Sequence, residues 1–131
     1  MAHRRAITAA ALLLVSGAGF AGIDLSDFDQ NTMQDVEDAG KELDAAIGGK
    51  DGRTAVANAE FIRDSLQWAE GYFEKKPDAA NAVRLSREGR EWAAAILKAA
   101  GEGDFDSAGE AYTSLKRTCK SCHDAYKPPK L

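Results

Sequence analysis

The sequence predicts an all-α fold, an up-down-up-down antiparallel four-helix bundle. Three observations lead there. Apolar residues recur at spacings of three and four in four separate blocks, with no period-two alternation that would mark a strand. The chain is rich in Ala, Lys, Glu and Asp and has only three prolines in 131 residues, a composition that favours helix. The breaks between blocks are short and hold Gly, Asp or Pro, so successive helices must run antiparallel as neighbours. Hydrophobic residues at 44% and charged residues at 29% suit a globular chain and exclude a disordered one or a polytopic membrane protein.

The first helix is expected to open with Ser26 as N-cap and Asp27 and Asp29 in its first turn. Its stripe is Met33, Val36, Gly40, Leu43 and Ile47, ended by Gly48 and Gly49, with Asp51 and Gly52 as a turn. The second stripe runs Ala55, Ala59, Ile62, Leu66, Ala69, Phe73, and Pro77 stops it. Asp78 is placed to support the next start. The third stripe is Ala82, Leu85, Gly89, Trp92, Ile96, Ala99, broken by Gly101 and Gly103. Asp104 caps a fourth, Phe105, Ala108, Tyr112, Leu115, Cys119, Cys122, Tyr126, ended near Lys127 by Pro128 and Pro129. Many inward positions are Ala or Gly. Such thin stripes mean either close helix approach or a space filled by something other than protein.

Residues 1–21 have the layout of a secretory signal: basic His3, Arg4 and Arg5, an apolar run from Ala6 to Val15, then small residues to Ala21. Cleavage after Ala21 or after Ala18 fits; an uncleaved anchor helix is the alternative. The residues around the Arg pair lack the rest of a twin-Arg pattern. The expected organisation is a signal peptide over 1–21 and a four-helix-bundle domain over 22–131, located in the periplasm and free of the membrane once cleaved. The net charge of −4 argues against a nucleic-acid partner.

The motif with specific chemistry is Cys119-Lys120-Ser121-Cys122-His123, the C-x-x-C-H attachment signature of c-type haem. Thiols three apart share a helical face, where each can bond one vinyl group of a porphyrin, and the next residue offers an imidazole to the iron. One covalently bound haem c follows, with Cys119 and Cys122 as thioethers and His123 as axial ligand. Other readings exist. A redox-active C-x-x-C belongs at a helix N-terminus after a strand. A zinc site needs a fourth ligand, and beyond residue 21 there is no other Cys or His. A disulfide within one helix closes too short a loop to stabilise much.

Helix geometry suggests the second axial ligand. Met33 lies about 9 Å along the first helix from Asp27, and His123 about 6 Å back from the end of the fourth. In the bundle these two helices are antiparallel neighbours, so the two side chains fall at similar height. Met33 is the only Met after residue 21; its alternative role is ordinary core packing.

The chain resembles the class II c-type cytochromes, the cytochrome c′ and cytochrome c-556 type, most clearly over "EGDFDSAGEAYTSLKRTCKSCHDAYK". It is also similar in layout to cytochrome b562. The resemblance implies a haem-bearing four-helix bundle, with Met33 and His123 in the ligand positions. In cytochromes c′ an apolar residue that does not bind iron usually takes the early position, so Met33 points to the low-spin branch. Dimers are frequent in that family, which leaves a homodimer open.

Trp92, Phe105, Tyr112 and Tyr126 either touch the haem or simply pack in the core. Trp68 lies beside its stripe and is expected to be partly exposed. Arg117 and Lys120 flank the motif and could pair with haem carboxylates. Asp35, Glu37, Asp38, Glu42 and Asp44 read as a solvated helix face that could also guide a basic redox partner of unknown identity. No phosphate loop or Ser-His-Asp set is present. With His123 and Met33 both on the iron there is no place for a substrate, so an enzyme is not expected. The expected function is electron carriage, with a gas-binding protein of the cytochrome c′ type as the alternative.

Overall fold

The computed structural model describes residues 22–126, so the expected signal segment and the proline stop after the fourth helix lie outside the described residues. Four helices follow in order: α1 (Gln30–Gly48), α2 (Gly52–Glu74), α3 (Ala80–Gly101) and α4 (Phe105–Ala125). Among the described residues there is no strand. Each helix packs on its sequence neighbour, and α1 also returns to α4, which gives the all-α four-helix bundle. The α1–α4 pair has the least contact of these four interfaces.

Three helices start with the same device. Asp29, Asp51 and Asp104 accept backbone N–H groups of Thr32, Thr54 and Ser107 at 3.2, 3.1 and 3.0 Å. The second oxygen of each carboxylate takes the hydroxyl of the same residue, at 2.6, 2.6 and 2.7 Å. The expected cap at Ser26 is therefore corrected: Asp29 caps α1. The Ser26 N–H is instead turned back to the Asp24 carboxylate at 2.9 Å. α3 departs from the pattern. Its N-cap is Ala79, with no side-chain cap, while Asp78 sits in the left-handed region at φ 59°. Ala79 is buried in a cluster with Leu25, Ala69, Phe73 and Ala82, so packing decides that start rather than capping.

The turns are also more particular than expected. Gly49 closes α1 in right-handed geometry, and Lys50 takes the left-handed position at φ 56°. Gly52 is the first residue of α2, with Asp51 as its cap. After α3 the left-handed position falls to Gly103, φ 73°, where a glycine costs nothing.

All six residues of the second stripe are buried. In α3 the fully buried central position belongs to Ala93, and Trp92 is only half-buried beside it. Glu70 of α2 is nearly covered and is held by two α3 guanidiniums, Arg87 Nε at 2.8 Å and Arg90 Nε at 3.0 Å. Ala55, Ala59, Ala93 and Ala108 are wholly buried in the tightly packed end of the bundle. A second cluster at the opposite end joins Leu25, Ala69, Phe73, Ala79 and Ala82. No described helix is long and apolar enough to cross a membrane.

Candidate functional site

A cavity of about 550 Å³ opens into the bundle at the end where α1 and α3 begin and α2 and α4 finish. Its size falls in the range of cofactor sites, roughly 300–1,000 Å³. Small residues are packed without a gap at one end, at Ala55, Ala59, Ala93 and Ala108, and line the cavity at the other, at Gly40, Ala69 and Gly89.

The walls are mainly apolar. Ile62, Leu66 and Phe73 come from α2, Leu85 from α3, Leu115 from α4 and Tyr126 from its C-cap. Leu25 and Phe28, ahead of α1, add to the lining. Phe28 stacks on Phe73 with centroids 5.8 Å apart and meets Tyr72 edge-on at 4.9 Å. The lead-in is pinned there by Asp27, which accepts the Tyr72 hydroxyl at 2.6 Å and the Lys76 ammonium at 2.8 Å. Those two donors, Lys76 first, hold the Asp27 carboxyl below its ordinary pKa.

The structure brings Met33, Cys119, Cys122 and His123 to the wall of this one cavity. Met33 stands in the first turn of α1 and is half-buried. His123 is on the last turn of α4 and is exposed. Both cysteines are free and half-buried. Burial raises the Cys119 pKa, and burial followed by the neighbouring Cys119 pushes Cys122 up to about 11. Protonated thiols near a helix C-terminus are the reverse of what a disulfide-exchange motif requires, a thiolate stabilised at a helix N-terminus. Among the described residues no group of three or more His, Cys, Asp or Glu is arranged to hold a metal ion unaided.

Of the two cations flanking the motif, Lys120 lines the cavity and pairs with Asp124 at 2.5 Å, while Arg117 is exposed and lies off it. Lys41 and Lys116 join the lining from α1 and α4. Tyr112 and Tyr126 line the cavity; Trp92 and Phe105 do not. Trp68 is 40% exposed and rests on Phe28, centroids 5.2 Å apart. Sequence reasoning missed Phe28. With Asp29 as the cap, Phe28 and Met33 occupy the two positions of a hydrophobic staple, a signal that a cap at Ser26 conceals. It also missed the Tyr112 hydroxyl, which donates to the Gly40 carbonyl at 2.9 Å and ties α4 to α1.

These residues fit a haem. Paired thiols, a following imidazole and a thioether share one apolar cavity, and lysines on its lining suit the carboxylates of the ring's edge. The family model described as Cytochrome C' matches residues 73–127, from the end of α2 through α4, which includes the whole C-x-x-C-H motif. No curated protein and no solved structure matches the chain. The family match and the four-helix fold together support a class II c-type cytochrome. That family implies a haem cofactor.

Proposed function

We propose that the protein is a monohaem electron carrier of the periplasm, its iron held by His123 and Met33. The reading rests on one observation: the only Met after residue 21 lines the same cavity as the C-x-x-C-H residues. Cys119 and Cys122 would hold the ring by thioether bonds. When bound, haem supplies a one-electron ferric–ferrous couple. The chain's own part is to position and to shield. Leu66, Leu85, Leu115 and Phe28 present apolar surface and keep water from the cavity. A Met33 thioether favours the ferrous state and raises the potential. With His123 and Met33 both holding the iron no place would remain for a substrate, which favours a carrier over an enzyme. Replacing Met33 with Ala is expected to convert a low-spin spectrum to a high-spin one and to lower the potential. An unchanged low-spin spectrum would contradict the ligand assignment.

A second reading, a gas-binding protein with an open or labile sixth position, has two supports. The family match begins at residue 73, so it does not reach Met33. The α1–α4 contact is also the slightest of the neighbouring pairs. Rapid carbon monoxide binding by the reduced wild-type protein would favour it over the carrier.

A further inference from the structure

Two fastenings hold α1, one on each side of Met33. Ahead of the helix, Asp27 is bonded to Tyr72 and Lys76, which ties the lead-in to α2. Two turns beyond Met33, the Gly40 carbonyl accepts the Tyr112 hydroxyl at 2.9 Å, which ties α1 to α4. The second fastening joins the helix bearing Met33 to the helix bearing Cys119, Cys122 and His123. It spans the pair of neighbours with the least contact, so a single hydrogen bond carries more of this interface than it would elsewhere. Tyr112 is 8% exposed and Lys116 Nζ sits 5.1 Å from its ring centroid, so water competes poorly for that hydroxyl. Tyr112, Gly40 and Met33 all line the cavity.

We infer that Tyr112 is a positioning residue: its bond to Gly40 holds α1 closed on α4 and so governs how readily Met33 yields the sixth position to an external ligand. The inference rests on the Met33 reading. Loss of the bond frees the first half of α1 to part from α4, and the balance between thioether and added ligand shifts with it. The hydrogen bond thereby decides how far the protein behaves as a closed carrier or as a ligand binder.

The test is Tyr112→Phe in the haem-loaded full chain, which keeps the ring and removes only the hydroxyl. A high-spin fraction is expected to appear in the spectrum. Carbon monoxide association with the reduced protein should rise roughly fivefold, the effect of one lost hydrogen bond of ordinary net strength. Glu70→Gln serves as the comparison, because it weakens the α2–α3 contact through Glu70, Arg87 and Arg90, none of which lines the cavity. General loosening would lower the melting temperature in both variants and alter the spectrum in neither. A low-spin wild type whose spectrum and association rate are unaltered by Tyr112→Phe would overturn the inference. So would an equal spectral change in Glu70→Gln. A wild type that is high-spin from the outset would overturn the Met33 reading, and this inference with it.

Discussion

Leu66 Cδ1 on α2 lies 2.9 Å from the point where a Cβ on Gly89 of α3 would stand. Thr118 Cγ2 and Leu115 Cδ1 of α4 are 3.7 and 3.8 Å from the same point. Three helices therefore converge on a position that has room for hydrogen alone, and Gly89 and Leu66 both form part of the cavity wall.

Gly89→Ala follows directly. The new methyl must displace the flexible end of Leu66, which is part of the cavity wall. Ala gains about 1 kcal/mol of helix propensity over Gly, so the helix itself is not weakened. The expected outcome is a lower haem content per chain or a shifted haem spectrum. Full haem content with a wild-type spectrum would show that the wall at Gly89 does not limit the site.

Glu70 offers a stability test away from the haem. The residue is 8% exposed, and its carboxylate takes one guanidinium on each oxygen. Glu70→Gln leaves Arg87 and Arg90 with a neutral partner that has one acceptor oxygen instead of two. Both guanidiniums keep access to water, at 50% and 34% side-chain exposure, so the cost should stay below that of a fully buried pair. A loss of about 1–3 kcal/mol is expected in denaturant unfolding, with the haem spectrum unaltered. No loss would mean that the cluster adds nothing to the α2–α3 contact.

Acid should act through the helix caps. Asp29, Asp51 and Asp104 are held below the usual aspartate pKa, first by the hydroxyls of Thr32, Thr54 and Ser107 and then by backbone N–H groups. A carboxyl whose folded pKa is depressed adds stability above its unfolded value, about 3.9. That stability is lost as pH falls through the folded pKa. Melting temperature should therefore be flat in this respect at neutral pH and fall below about pH 4. Asp→Asn at all three caps preserves a good capping side chain but removes the titration. The variant should show a shallower acid decline than wild type; an identical decline would place acid sensitivity elsewhere.

The four stripes, the antiparallel order and the Asp104 cap were legible in the sequence because each rests on local spacing. The start of α1 was not. Ser26 and Asp29 are both good caps, and the choice depends on the lead-in folding across Phe73 and Tyr72, more than forty residues away. Trp92 and Ala93 exchanged places because neighbouring positions on a 3.6-residue period are hard to rank by pattern alone. The site was partly legible. Met33 and His123 share a cavity wall, as periodicity and helix direction implied. The cavity's aromatic lining and the Tyr112–Gly40 bond were hidden, since contacts between distant segments leave no periodic trace.

The most direct test is haem retention by protein made in cells that mature c-type cytochromes. One haem per chain should stay attached after unfolding and extraction with acidified solvent. Cys119→Ser or Cys122→Ser should reduce the attachment to a single bond, and the double variant should release the haem entirely. A colourless wild-type chain, or one whose haem washes out on unfolding, would contradict the covalent site.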